Sequence, residues 1–332
     1  MTAYILRRLG ALLISLWGVS LLLFLMTHLI PGNPARAMLG ERANAEAVAK
    51  LERELGLDRP LYEQYGRFLA NAARLDFGRS IKTKRPVAQE LWARFPATLE
   101  LTMCAMVFAV VLGLLLGALS AARRGGALDF FSMTISLAGV SIPIYCLGLL
   151  LILLFANGLE WLPNGGRHSD AYAIAGAGLI GSLLKGDLGA FRDAAVHLIL
   201  PTVTLGAVPL AIISRMTRSS LLEALGQDYV RTAEAKGLRP SVVLFKHALR
   251  NALIPVLTIT GLEFGYLLGG AVMTESIFSW PGVGRWLWLS VLARDLPAIQ
   301  GGVLFVALLF MTIVLIMDLL YAAVDPRIRA AA

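Results

Sequence analysis

The residues with the capacity for chemistry fall into two groups: ionisable side chains inside long apolar runs, and a polar, basic cluster between two such runs. Glu263 lies near the middle of the apolar run 252–273, and Asp318 near the end of the run 301–321. A carboxyl group in hydrocarbon is expensive, so both are candidate pathway residues. For Glu263 two readings stay open, a hydrogen bond to a neighbouring helix and a contact with a solute in transit. Glu100 and His197 sit near the ends of apolar runs, where a side chain reaches water, and read as structural. The four histidines, His28, His168, His197 and His247, are dispersed, and no metal-site spacing occurs. Cys104 and Cys146 lie inside apolar runs and form neither a disulfide framework nor a metal motif. No G-x-x-x-x-G-K-[ST] run is present, so the chain has no phosphate-cradling loop of its own. The G-x-S-x-G elbow and paired aspartates are also missing, so no catalytic residue, metal or cofactor is expected, and the chain does not read as an enzyme.

The polar cluster occupies 228–255, DYVRTAEAKGLRPSVVLFKHALRNALIP. Tyr229, Arg231, Thr232, Ala233, Glu234, Ala235 and Lys236 are mostly good helix formers, and Gly237 supplies the left-handed turn that ends a helix. Pro240 with Ser241 begins another helix, which runs through His247, Arg250 and Asn251 to Pro255 and into apolar sequence. Arg231, Lys236, Arg239, Lys246 and Arg250 outweigh Asp228 and Glu234, so the hairpin is basic. The bland reading is a solvated loop satisfying the excess of positive charge on the cytoplasmic side. That bias requires neither the glycine nor the closing proline. A rigid basic hairpin below a membrane is a docking surface, because packed helices transmit displacement.

The elements that carry these residues are membrane helices. Of 332 residues, 57% are hydrophobic and only 16% charged, and the mean hydropathy is +0.71; a soluble domain carries about 45–50% and about 25%. The net charge of +8 would suggest nucleic acid in a soluble protein, but in a membrane protein it follows from cytoplasmic Lys and Arg, so no nucleic-acid partner is expected. Six spans are expected, at 9–30, 98–122, 129 or 130 to 155 with Pro143 inside, 194–216, 252–273 and 301–321. The first is too long for a cleaved signal peptide and reads as a retained helix. The run 171–184 is short and broken by glycines, so it reads as external. With six spans, Arg7 and Arg8, Arg123 and Arg124, the hairpin, and Arg327 and Arg329 share the cytoplasmic side, and so do both termini. Residues 31–97 form an external segment with a helix over 45–55 capped by Asn44 and stopped by Gly56, a further turn or more after Pro60, and a loop at 76–80. Trp280, Trp286 and Trp288 read as an interfacial aromatic belt.

Ala233-Glu234-Ala235, Gly237 and Leu253-Ile254-Pro255 resemble the cytoplasmic coupling loop of the membrane subunits of ATP-binding-cassette importers. The resemblance covers nearly the whole chain. Leu29-Ile30-Pro31-Gly32-Asn33-Pro34, Gly56-Leu57-Asp58-Arg59-Pro60-Leu61, Asp76-Phe77-Gly78-Arg79-Ser80 and Arg85-Pro86-Val87 are similar to the first membrane subunit of dipeptide and oligopeptide importers. So are Thr98-Leu99-Glu100-Leu101, Ser141-Ile142-Pro143, His197-Leu198-Ile199-Leu200-Pro201, Trp280-Pro281-Gly282-Val283-Gly284, Arg294-Asp295-Leu296-Pro297, Asp318-Leu319-Leu320-Tyr321 and Asp325-Pro326-Arg327. The family also includes nickel and glutathione importers.

The resemblance implies an all-α integral membrane protein of the type I importer permease fold in the cell inner membrane. Its parts would be a first helix at 1–30, the external segment 31–97, and a five-helix core at 98–330 with a coupling loop at about 217–251. It implies a second homologous permease, one or two ATPases that bind ATP and Mg, and an extracytoplasmic solute-binding protein, all in contact with membrane lipid. The implied cargo is a di- or oligopeptide, with nickel or glutathione as alternatives. Asn33 stands where the family usually has aspartate, Glu234 where peptide permeases usually carry arginine, and Glu263 where an uncharged polar residue is expected. The connection 165–193 is also longer than expected. An ion-coupled secondary transporter is the reading from another class; such proteins carry chains of intramembrane carboxylates and histidines, which are sparse here.

Overall fold

The computed structural model describes residues 2–29, 36, 44–56, 58–175 and 178–324. The motifs at 31–34 and 325–329 and the side chain of Asp318 lie outside the described residues. The apolar runs become helices, the structure that satisfies every backbone group within one segment when no water is present. They are α1 (Thr2–Leu29), α4 (Val87–Ala122), α5 (Ala127–Ser141), α6 (Ile144–Leu151), α8 (Leu188–Leu225), α11 (Leu249–Ile277) and α13 (Leu296–Val324). Between them lie α2 (Ala45–Leu55), α3 (Leu61–Ala73), the short α7 (Leu179–Leu184), α9 (Asp228–Ala235), α10 (Pro240–Val242) and α12 (Val283–Leu292). Among the described residues the only extended pairing is a single bridge between Arg79 and Pro86. Among the described residues five helices are long and apolar enough to cross a membrane, and α5 with the α6 segment makes a sixth candidate.

Three expectations change in detail. The spans expected from 98 and from 194 are the middles of longer helices, of 36 and 38 residues. At about 1.5 Å per residue each is about 55 Å long, well beyond a hydrocarbon core of about 30 Å. The third span is not one helix with a kink. Ile142 and Pro143 are extended, and α5 meets the α6 segment at 108°. The proline ring pushes the residue before it out of the helical region, which severs the helix there. Beyond the break, α6 runs into a π-helical turn, Ile152–Gly158. The run 171–184 is a 3-10 turn, Asp170–Ala175, followed by the six residues of α7, too short to span.

The chain forms two compact units. One is Pro96–Arg285. Its core is a seam of α4, α8 and α11, with Leu101, Ala105 and Ala109 against Leu198, Leu205 and Ile213 and against Val256, Leu267 and Ala271. A side chain at Gly117 would place its Cβ 2.6 Å from the Ser214 carbonyl oxygen, so the backbones of α4 and α8 touch there. Buried polar groups close the unit's far end. The Thr98 hydroxyl donates to Glu275 Oε1 at 2.6 Å and accepts from Val283 N–H at 2.8 Å, while Arg285 N–H donates to Glu275 Oε2 at 2.9 Å. Trp280, with 0% exposure, donates its indole N–H to the Ala97 carbonyl at 2.8 Å. Glu100 does not reach water as expected. It is buried, paired with the Arg167 guanidinium and bonded to Leu179 N–H, which fixes the connection 165–193 onto α4.

The other unit is Met1–Phe95 with Trp286–Ala332. Here α1 packs on α13 and α3. Phe24 meets the rings of Tyr65 and Phe68, and Gln300 bonds Thr27 at 3.1 Å. Helix α2 begins and ends where its caps require: Asn44 Oδ1 accepts from Ala47 N–H at 2.8 Å, and Gly56 takes φ +69°. The loop at 76–80 is pinned by Asp295, whose carboxylate accepts from the Ser80 hydroxyl at 2.5 Å and from Ile81 and Lys82 N–H at 3.0 and 3.1 Å. Trp286 donates to Glu90 at 2.8 Å. Of the three tryptophans expected in a belt, Trp280 and Trp286 are therefore buried anchors, and Trp288 alone is exposed, at 45%. A cavity of about 890 Å³ opens between α1, α3 and the start of α13, lined by His28, Gln64, Arg67, Asp76, Arg79 and Gln300 among others.

Candidate functional site

The polar segment folds as its glycine and proline dictate. Asp228 occupies the first turn of α9, where a negative charge meets the positive end of the helix dipole. The helix ends at Ala235, and Gly237 takes φ +73°, a left-handed conformation that costs other residues about 1–2 kcal/mol. Gly237 N–H bonds the Glu234 carbonyl at 2.9 Å, and Leu238 N–H reaches the Ala233 carbonyl at 3.4 Å, so the last turn is closed from both positions. Arg239 is extended, Pro240 starts α10, and a π-helical turn, Val243–Ala248, leads into α11.

The hairpin has two faces. Val230, Ala233 and Val243 are buried together against Leu225, the last residue of α8. One step further in, Leu221 and Ala224 of α8 pack with Ala118 and Ala121 of α4 and with Ala248 and Ala252. Small residues there let the three helical segments approach closely. The opposite face is open: Tyr229, Arg231, Thr232, Glu234, Ala235, Lys236, Gly237, Arg239, Lys246, Arg250 and Asn251 are exposed, with Leu238 and Phe245 among them. Aromatic and apolar side chains ringed by cations are the composition of a protein-docking patch. The ion pair of Arg231 with Asp228, 3.6 Å apart on this surface, adds little stability.

The residues singled out from sequence thus separate by role. Ala233 packs inward, His247 is half-buried, and the rest of the helical set points outward. Pro255 sits inside α11, where it removes the backbone donor for the Asn251 carbonyl. Glu263 lies on the buried stripe of the same helix between Val256 and Leu267, 9% exposed, with no hydrogen-bond or ion-pair partner among the described residues. Among the described residues no neighbouring helix offers it a hydrogen bond. His197 is bonded through Nδ1 to the Asp193 carbonyl at 2.8 Å. Among the described residues no group of histidine, cysteine or acidic side chains could hold a metal.

One buried cluster near the hairpin escaped the sequence reading. Asp129 in the first turn of α5 is held by the Arg218 guanidinium of α8 through two contacts of 2.7 and 2.8 Å. It also accepts from the Ser120 hydroxyl of α4 and from Gly125 N–H. In sequence both charges look like ordinary end-of-span residues. Only the packing of α4 beside α8, with α5 running antiparallel to α8, brings them together.

With this arrangement in view, comparison with known proteins is consistent along the whole chain. The model of the binding-protein-dependent transport system inner membrane component matches residues 109–330, and that of its N-terminal part matches 1–102. The di/tripeptide transport system permease of Pseudomonas aeruginosa is 50% identical, covering 99% of both chains. The dipeptide transport system permease of Alkalihalophilus pseudofirmus is 47% identical, over 99% of this chain and all of its own. The glutathione transport system permease of Escherichia coli is 43% identical over 99% of each. The chain belongs to the binding-protein-dependent transport system inner membrane component family, and it is a permease subunit.

Proposed function

We propose that this permease forms half of the translocation pathway of an ATP-driven importer for short peptides, with ATP and Mg bound by separate ATPase subunits that dock on the exposed face of the hairpin. The observation that carries the docking reading is the two-faced hairpin itself. Its inner side is packed on α8 and its outer side offers Tyr229, Leu238 and Phe245 among exposed cations. A second homologous permease completes the pathway, and an extracytoplasmic binding protein delivers cargo to the side opposite the hairpin, which faces the cytoplasm with both termini. Peptide cargo is favoured by the di/tripeptide and dipeptide permeases among the relatives. Glutathione, itself a tripeptide, is the second reading, favoured by the 43% identical glutathione permease. Glu263 serves on the pathway in this reading, since a buried carboxyl without a partner among the described residues is neutral or meets a cation from outside them.

The test is purification of the complex in mild detergent with wild-type subunit and with Gly237→Asp, followed by uptake of radiolabelled dialanine and glutathione in proteoliposomes. Wild type should retain an ATPase and a second permease and take up dialanine on addition of ATP. The variant, strained at φ +73° and acidic in a basic surface, should lose the ATPase. An ATPase retained by the variant would remove the hairpin as the docking element, and uptake of glutathione alone would move the cargo to the second reading. Uptake of neither would sink the importer. Within the same assay, wild-type uptake by Glu263→Gln would take that residue off the pathway.

A further inference from the structure

The hairpin is joined to the rest of its unit by more than apolar packing. Arg218 lies two turns before the end of α8, the helix on which Val230, Ala233 and Val243 pack through Leu225. Its guanidinium grips both oxygens of Asp129, which is 6% exposed and is also bonded by Ser120 of α4 and by Gly125 in the turn between α4 and α5. A two-point Arg–carboxylate contact resists rotation as well as separation. Along α5 the contact with α8 continues to Gly139, where an added Cβ would stand 3.2 Å from the Ala207 carbonyl oxygen. Two residues beyond Gly139, α5 ends at Ser141, just before the sharp break at Pro143. Helix α5 is therefore clamped at one end by charge and hinged at the other by a proline.

We propose that the Asp129–Arg218–Ser120 cluster is a transmission latch: it makes the hairpin ends of α4, α5 and α8 move as one body, so that a displacement of the hairpin reaches the break at Pro143. The three residues are positioning residues, acting through the helices they join. The proposal rests on the importer reading, because the displacement it transmits is the one an ATPase imposes on the hairpin. Without the latch, α8 would slide past α5, and ATP would be hydrolysed with less peptide moved.

The experiment compares wild type, Asp129→Ala, Arg218→Ala and the double variant as full complexes in proteoliposomes. It reads co-purified ATPase, ATP hydrolysis, and uptake per ATP of whichever probe, dialanine or glutathione, the wild type carries. Both single variants should keep the ATPase and hydrolyse ATP, with uptake per ATP falling about fivefold or more. The double variant should be no worse than either single one, since one interaction cannot be lost twice. Arg218→Lys, which keeps the charge and gives up the second contact, should fall between and stands in if an alanine variant assembles poorly. A wild-type ratio in all variants would overturn the latch. So would parallel losses of ATPase activity and uptake, additive in the double variant, because they indicate stability alone. A wild-type complex that carries neither probe would overturn the importer reading and the latch with it, whereas a coupled wild type with coupled variants would overturn the latch only.

Discussion

Thr98 joins parts of the chain that are 177 and 185 residues away, to Glu275 and to Val283. Its hydroxyl donates to a carboxylate with 0% exposure and accepts from a backbone amide. Thr98→Val keeps the shape, leaves Val283 N–H without its acceptor and takes from Glu275 Oε1 its hydroxyl donor while Arg285 N–H stays on Oε2, at about 1–3 kcal/mol for an orphaned buried group. The thermal midpoint of the detergent-solubilised subunit should fall with Thr98→Val and stay near wild type with Thr98→Ser. Equal midpoints for all three would show that the hydroxyl adds no net stability. Sequence alone displays Thr98-Leu99-Glu100-Leu101 and Trp280-Pro281-Gly282-Val283-Gly284 as motifs shared with a family but says nothing of their pairing, because hydrogen bonds over such separations are set by packing. The same holds for Asp129 and Arg218, which read singly as boundary charges, and for Trp280 and Trp286, whose buried N–H groups meet internal acceptors where an interfacial belt was expected.

At the scale of elements, legibility follows how local the cause is. Helix α2 and the hairpin were readable nearly to the residue because Asn44, Gly56, Gly237 and Pro240 act on their own backbone. The break at Pro143 was readable as a weak point but not as a 108° turn, since its angle depends on how α5 lies along α8. The ends of α4 and α8 were missed because both helices continue past the apolar run into polar sequence that is only partly buried. Where α4 and α8 touch, the cause is steric. A leucine at Gly117 would meet the Ser214 carbonyl oxygen and Thr217 Cβ, both 2.6 Å from the new Cβ. Backbone cannot yield as a side-chain tip does, so Gly117→Leu should cost about 1–3 kcal/mol and lower the thermal midpoint. Gly10→Leu on α1, with nothing within 4 Å, is the control and should leave it unchanged. A midpoint unchanged by Gly117→Leu would mean that the two helices part without loss.

The crossing of the bent pair is decided at the scale of the whole helical unit. Taken by itself, a pair of helices meeting at 108° could return to the side it came from, which would leave five crossings and put the hairpin opposite the side expected from charge. Two ion pairs held to α4 at separate levels, one at Glu100 and one through Ser120, exclude this. At the far end of α4 from Glu100, Asp129 and Arg218 tie the turn at 123–126 to the last turns of α8, so those two ends share one side. Glu100 itself holds Arg167 and Leu179 N–H, so the connection 165–193 shares a side with that level of α4. From Glu100 to Ser120, α4 rises about 30 Å at about 1.5 Å per residue, the depth of a hydrocarbon core, so these are different sides of a bilayer, and the chain must pass from one to the other between 126 and 165. The α5–α6 segment therefore crosses despite its bend. In a chain with Cys104 and Cys146 replaced by alanine, Lys185→Cys should react with a membrane-impermeant maleimide in intact cells. Arg124→Cys and Lys236→Cys should react only in inside-out vesicles. Reaction of Lys185→Cys and Lys236→Cys from the same side would mean that the bent pair turns back, and the hairpin would then face away from any cytoplasmic ATPase.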